Sequence, residues 1–276
     1  MRLELNPGLR EALGPDPFGA LMAMPGETYR DTGGRQTLRV SIAGQEYFLK
    51  RHLGVGWREI FKNLLQLRLP VLGAGTEVRA IRRLEALGIP TLQLAGWGQR
   101  GRNPARHASF ALTVALQDTL SLEDLCAGWG ARQQWTASEL ILKRQLVWHL
   151  ATTARTLHEN GVNHRDFYLC HFLLRQDSPG LVQAGGRLDL HLIDLHRVQL
   201  RRRTPQRWRR KDIAGLYFSA LDAGLTRHDC YRFMRLYGGG PLRAQLGRRF
   251  WRKVSRQAVF LYRKAHGRTP RLPVPV

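Results

Sequence analysis

Asp166 lies in the polar stretch GVNHRDFYLCHFLL, flanked by His164 and Arg165, and Asp194 ends the apolar stretch LDLHLI. One carboxylate delivered by a loop and another by a strand end, with a lysine and many arginines elsewhere, are the parts a magnesium nucleotide reaction needs. They supply a base, a metal ligand and cationic clamps. Asp166 by itself would be a turn or capping aspartate. In register with His164, Arg165, His171 and Asp194, it reads as catalytic. Competing chemistries lack parts. The histidines His164, His171, His191 and His196 come without the H-x-x-x-H helix or the cysteines of a zinc site. Cys170 beside His171 has the environment of a partly buried, inert thiol more than that of a nucleophile. GVGWRE and GAGTEV each imitate the start of a dinucleotide fingerprint, but neither has the third glycine or a clear preceding buried strand, and both read as turns.

The elements that must hold these residues follow from hydropathy and turn signals. From about Tyr29 to Leu49 the apolar runs TLRVSI and EYFLK are separated by DTGG and AGQE, the pattern of a small antiparallel sheet. A basic segment, RHLGVGWREIFKNLL, comes next. Val78, Ile81, Leu84 and Leu87 then recur at helical spacing and stop at Gly88. TLQLAGWG and SFALTVAL read as two further strands, and LSLEDL as a connector. A long amphipathic helix is expected from about Ser138 to Glu159, closing at Asn160 and Gly161. The polar loop with Asp166 follows it, then a hairpin-like stretch to LDLHLIDLHRV, the basic run RRRTPQRWRRK, and helices from Lys211 onward.

Composition bounds the partners. At 276 residues and 43% hydrophobic content the chain can bury one large core or two lobes. The three cysteines, Cys126, Cys170 and Cys230, form no C-x-x-C pair and suggest neither a disulfide framework nor a zinc site. No apolar run reaches the ~18 residues of a membrane span, and Glu4 and Glu11 interrupt any signal-like start, so a cytoplasmic location is expected. The net charge of +23, mostly arginine, attracts anions without naming one. No zinc finger, RNA-recognition signature or helix-turn-helix pattern supports nucleic acid as the partner. The run from Arg201 to Lys211 reads either as a solvated basic face or as a substrate clamp.

The spacing H-R-D, four residues, then His171, an apolar strand and I-D-L matches a kinase catalytic loop followed by its metal-binding strand. GVNHRDFYLCHFLL, IDLHRVQ and RWRRKDIAGLYFSALDAGLTRHD, in that order, resemble the lipopolysaccharide core heptose(I) kinases of the Kdo/WaaP family, and the resemblance extends from about Asp16 to Tyr262. It implies a two-lobed, protein-kinase-like α+β fold. Residues 1–116 would form a sheet-rich nucleotide-binding lobe, and residues 117–276 a helical lobe for catalysis and the acceptor. It further implies ATP and Mg2+ as cofactors, a heptose of the nascent lipopolysaccharide core as acceptor, and a place at the inner face of the inner membrane, against its anionic surface. Acyl carrier protein is a proposed partner for the family, and so basic a chain would attract it.

By position, the resemblance makes Asp166 the base and Asp194 the magnesium ligand. His171 stands where protein kinases carry a metal-binding asparagine; imidazole is the poorer magnesium partner, so a water-mediated or phosphate contact is expected there before direct ligation. Lys50 would steady the nucleotide phosphates with Glu77 as its ion-pair partner, and Asp212 would brace the catalytic loop holding His164 and Arg165. The glycine-rich loop is reduced to DTGGR, Asp194-Leu195-His196 replaces D-F-G, and no A-P-E follows. In place of a peptide-binding segment stand Arg201, Arg202, Arg203, Arg207, Arg209 and Arg210, which would suit an anionic glycolipid. A related sugar or glycolipid kinase, or a silent kinase-like scaffold for an acidic partner, are the alternatives; the intact set Lys50, Glu77, Asp166 and Asp194 argues against silence.

Overall fold

The computed structural model describes residues 1–32, 34–54, 73–101, 103, 107–177, 188–240 and 247–274. The basic segment beyond Gly54, with most of GVGWRE, and the turn of the hairpin-like stretch at 178–187 lie outside the described residues, as does Gly33 of DTGGR. The chain divides into two compact units. One comprises Met1–Glu85, Thr91–Leu116 and Leu195–Arg197; the other comprises Ala86–Pro90, Gln117–Asp194 and Val198–Val276.

The first unit is built on strands β1 (Arg2–Leu5), β2 (Glu27–Thr32), β3 (Arg35–Ile42), β4 (Gln45–His52), β5 (Leu94–Arg100) and β6 (Ala108–Val114), with helices α1 (Pro7–Leu13), α2 (Pro17–Ala23) and α3 (Gly75–Ala86). The strands form one antiparallel six-stranded sheet in the order β1-β5-β6-β4-β3-β2. The hairpin expected at AGQE turns through Ala43 and Gly44, both at positive φ, the geometry that two-residue hairpin loops demand. The N-terminal RLEL, with no strand expectation attached, is an edge strand whose Leu3 and Leu5 pack on the sheet's core.

Side chains alternate between the two faces of a sheet. Leu38, Val40, Ile42, Tyr47, Leu49, Phe110 and Leu112 share one face and a core with Leu9, Phe18 and Leu21 of α1 and α2. Lys50 and Ala111, paired in register across β4 and β6, turn to the other face, where Ala111 packs with Val78 of α3. Arg51, back on the α2 face and buried, donates to the carbonyl of Met22 at 2.8 Å and to that of Met24. These are unsatisfied carbonyls at the end of α2, the usual place for an arginine. Burial holds the Arg51 pKa below its ordinary value.

The second unit carries helices α4 (Leu122–Leu125), α5 (Ala137–Glu159), α6 (Gln206–Ser219), α7 (Arg227–Gly238) and α8 (Arg248–His266), and the short strands β7 (Thr119–Ser121), β8 (Val162–Asn163), β9 (Phe172–Arg175), β10 (Leu190–Leu192) and β11 (Gln199–Leu200). β9 pairs with β7 and β10, and β8 with β11, all antiparallel. α5 begins at a capping box, Thr136 with Glu139, and buries Leu146, Leu150, Ala154, Leu157 and His158 along one stripe. α5 packs on α7, and α6 on α8.

Gly161, between α5 and β8, sits at φ 76°, and a Cβ there would lie 1.8 Å from the Arg201 carbonyl oxygen. The same backbone approach lets Arg201 N–H donate to the Gly161 carbonyl at 2.8 Å, which seats the start of the arginine run against the strand leading to Asp166. Gly161→Ala should destabilise the fold by at least about 2 kcal/mol, because the left-handed conformation and the clash act together. Urea unfolding measures this. An unchanged midpoint would mean that β8 and β11 can part at no cost.

Candidate active site

The stretch that carries Asp166 leaves β8 at Asn163 and enters a turn held from one side by a single carboxylate. Asp212, on α6 and 1% exposed, accepts the His164 N–H on Oδ2 at 2.7 Å and the Arg165 N–H on Oδ1 at 2.9 Å. Oδ2 also accepts from His158 Nε2 at 3.2 Å, while His158 Nδ1 meets the Tyr237 hydroxyl at 2.8 Å. Arg165 has φ 78°, a left-handed backbone that costs a non-glycine residue about 1–2 kcal/mol. The bond from its N–H to Asp212 holds it there. α6 can come this close because Gly215 faces the loop: a Cβ on it would lie 3.0 Å from the Tyr168 ring and 3.2 Å from the Phe167 carbonyl.

The loop is stitched to the strand that delivers Asp194. His164 Nε2 donates to the Ile193 carbonyl at 3.0 Å, and Ile193 N–H donates to the His171 carbonyl at 2.9 Å. Burial drives the His164 pKa down, so the ring is neutral; with its proton on Nε2, Nδ1 is a buried acceptor that finds no hydrogen bond among the described residues. Asp194 itself has φ 60°. Two residues with left-handed backbone beside two carboxylates are the kind of local strain that accumulates at functional sites.

His171 connects the two carboxylate-bearing segments. The Asp166 carbonyl can only accept, so His171 Nδ1 carries a proton and donates it at 2.6 Å. Its Nε2 then lies 3.5 Å from Asp194 Oδ2. As a donor set for magnesium, one carboxylate with a second nearby in the loop suits an ion that takes most of its ligands from water and substrate phosphates. Among the described residues no cluster of three or more metal-ligating side chains exists. Cys170 is no nucleophile: burial pushes its thiol up to about 11, so it stays protonated at neutral pH.

In the first unit, Lys50 Nζ pairs with Glu77 Oε1 of α3 at 2.5 Å, and Glu77 is 2% exposed. The strand period decides this pairing, since Lys50 shares its face with α3 and its neighbours Leu49 and Arg51 do not. Two residues on that face carried no expectation from the sequence. His52 follows Lys50 at strand period, and Arg35 is its register partner on β3. His52 is buried, its Nδ1 finds no hydrogen bond among the described residues, and its pKa is pushed down to about 4. Burial is the main cause, followed by the charges of Arg35 and Lys50 and by His196 and His107. The signal in the sequence was only the alternation K-R-H in β4, which marks Lys50 and His52 as neighbours on one face.

The arginine run divides. Arg201 is half-buried, donating to Asn163 Oδ1 and, at 2.6 Å, to Gln199 Oε1. Arg209 donates to the carbonyls of Thr204 and His158 at 3.2 Å each. Arg202, Arg203 and Arg207 are exposed and Arg210 is partly so. The brace residue His158 escaped the sequence, where it is one more position on the buried stripe of α5 and its partner lies in a distant helix.

Three comparisons bear on this arrangement. Residues 20–237 match the Lipopolysaccharide kinase (Kdo/WaaP) family. The chain is 46% identical over 230 residues to the lipopolysaccharide core heptose(I) kinase WaaP of Escherichia coli (strain K12), covering 83% of this chain and 84% of that protein. To the Pseudomonas aeruginosa protein of the same name it is 49% identical over 244 residues, covering 88% of each. Among solved structures, one of WaaP in complex with acyl carrier protein superposes with a TM-score of 0.79 at 42% identity, covering 95% of this chain and 100% of that one.

Proposed function

This chain belongs to the lipopolysaccharide kinase (Kdo/WaaP) family, and from that membership we propose that it phosphorylates a heptose hydroxyl of the lipopolysaccharide inner core with ATP. It is a phosphotransferase with a sugar alcohol as acceptor, acting in core biosynthesis. The observation that carries this is the 46–49% identity to core heptose(I) kinases over most of the chain. The geometry from Asp166 through His171 to Asp194 supports it.

In this reading Asp166 orients the acceptor hydroxyl and takes its proton. The hydroxyl oxygen forms the new bond to the γ-phosphorus, the bond from that phosphorus to the β,γ-bridging oxygen breaks, and ADP leaves with the electron pair. Asp194, with His171 beside it, would hold Mg2+, which neutralises charge on the phosphates when bound. Lys50 would bind the phosphates while Glu77 fixes its direction. Arg35, on the Lys50 face of the sheet, would supply a cationic contact that a degenerate glycine loop cannot. Arg202, Arg203 and Arg207 are the members of the run whose exposure suits an anionic acceptor.

No helix among the described residues is long and apolar enough to cross a membrane. A peripheral place on the anionic cytoplasmic face of the inner membrane is supported by the outer face of α8. There Arg249, Arg252, Lys253, Arg256, Arg263 and Lys264 are exposed, opposite the buried Phe250, Val254, Ala258 and Tyr262. The similar structure solved with acyl carrier protein supports that acidic protein as a partner here too.

The test is to incubate purified protein with labelled ATP, magnesium and dephosphorylated core lipopolysaccharide, with heptose-free lipopolysaccharide and a peptide mixture as controls. Label is expected only in the heptose-bearing acceptor; label entering only peptides would overturn the assignment. Lys50→Ala should raise the KM for ATP by about 10- to 100-fold, the worth of a hydrogen bond to a charged group, with little change in that for the acceptor. Unchanged ATP kinetics with a collapse of acceptor affinity would place Lys50 in the acceptor site instead.

A further inference from the structure

Four cations converge on one indole in the second unit. The Trp208 ring centre lies 5.6 Å from the Arg165 guanidinium carbon, 5.5 Å from those of Arg201 and Arg207, and 4.6 Å from Lys211 Nζ. They come from three elements: Arg165 from the catalytic loop beside Asp166, Arg201 from the end of β11, and Arg207 and Lys211 from the first turns of α6. Each contact with the ring face is worth about 0.5–1 kcal/mol where exposed, which is too little to gather four like charges against their mutual repulsion. That repulsion registers in the cluster: burial first, and then the charge of Arg207, hold the Arg201 pKa below its ordinary value.

The surroundings add positive potential. α6 starts at Pro205 with no side-chain cap and no acidic residue in its first turn, so the positive end of its dipole faces the same place. Asp212, the carboxylate that reaches Arg201 electrostatically, already accepts from His164, Arg165 and His158. Arg201 is oriented by Asn163 and Gln199, whose oxygens are neutral. The Trp208 indole N–H is buried and finds no acceptor among the described residues.

We propose that Arg165, Arg201, Arg207 and Lys211, gathered around Trp208, form a binding site for one oxyanion carried by the acceptor, a sugar carboxylate or a sugar phosphate, which registers the acceptor on the catalytic loop. This rests on the acceptor being a glycolipid, as proposed above. Guanidinium forks match both oxyanions. Because Arg165 immediately precedes Asp166, an anion held here fixes the acceptor within one residue of the base. These four are positioning residues: they select an acceptor that bears the anion next to the hydroxyl to be phosphorylated.

The experiment compares wild type with Arg207→Gln/Lys211→Gln, two substitutions on the outside of α6, and with the charge-conserving Arg207→Lys/Lys211→Arg. Each is measured on core acceptor lacking only the phosphate on the target heptose, on that acceptor with its carboxylates reduced to alcohols, and on that acceptor with its remaining phosphates removed. The glutamine variant should raise the acceptor KM about tenfold or more, the loss of charge-assisted bonds, and leave the KM for ATP near wild type. The charge-conserving variant should recover most of that loss. One of the two acceptor treatments should raise the wild-type KM by a similar factor and do nothing further to the glutamine variant; which treatment does so identifies the oxyanion. An unchanged acceptor KM in the glutamine variant, or effects of treatment and mutation that multiply, would overturn the proposal. Acceptor binding is also read calorimetrically without ATP. A wild type that binds acceptor but does not phosphorylate it sinks the kinase reading, while loss of that binding in the glutamine variant would still uphold the site.

Discussion

Asp166→Ala should leave a folded protein that has lost about 10²- to 10⁴-fold in turnover, the usual contribution of a positioned general base. The side chain is partly exposed, and the hydrogen bond the loop makes to His171 comes from the Asp166 backbone carbonyl, which alanine keeps. The loss should therefore fall on kcat, with acceptor and nucleotide binding near wild type. Asp194→Ala should be at least as inactive by a different route, because it removes the proposed metal ligand and the acid facing His171 Nε2. Its defect should soften as magnesium is raised, whereas that of Asp166→Ala should not. Circular dichroism melts verify folding. Wild-type turnover in both folded variants would sink the site assignment.

Asp212→Ala should cost about 3–5 kcal/mol of stability, and with it the activity, although this residue touches no reacting atom. Its carboxylate satisfies the backbone N–H groups of two consecutive loop residues and the ring N–H of His158, and His158, His164 and Asp212 are all buried. Leaving a buried donor unpaired costs about 1–3 kcal/mol, and Arg165 would lose what holds it in its left-handed backbone. Asparagine is expected to rescue only in part, since its amide can accept on one side but presents N–H to N–H on the other. Chemical denaturation gives the stability, and kcat measured well below the melting temperature gives the catalytic part. If Asp212→Ala unfolds at the wild-type denaturant concentration, the brace is not what holds the loop, and the left-handed Arg165 must be supported by the packing of Phe167 and Tyr168 on α6.

Local order in this protein is written in its residues. Apolar runs bounded by turn signals marked β3, β4, β5 and β6, and helical spacing closed by Gly88 and by Asn160 with Gly161 marked α3 and α5, because burial writes itself into neighbouring residues. The stretch that carries the proposed base is local for a similar reason: His164, Arg165, Asp166 and His171 lie close together in sequence, and Asp194 lies just beyond β10, which pairs with β9. The N-terminal strand was not legible, since RLEL is too short and too charged to declare itself until β5 offers an edge.

The long-range partners around the proposed site follow from the fold and not from any local pattern. That Asp212 accepts from His158 as well as from the loop, that the Asp166 carbonyl sets the tautomer of His171, and that the arginine run splits into anchored Arg201 and Arg209 and exposed Arg202, Arg203 and Arg207 all depend on contacts between distant segments. Composition cannot rank six arginines in a row of basic residues, because each has the same charge and reach. What separates them is the backbone that Gly161 admits at close range and the direction α6 takes from Pro205. The cluster around Trp208 has the same origin, a loop, a strand end and a helix start brought together by the fold, and no local pattern announces it.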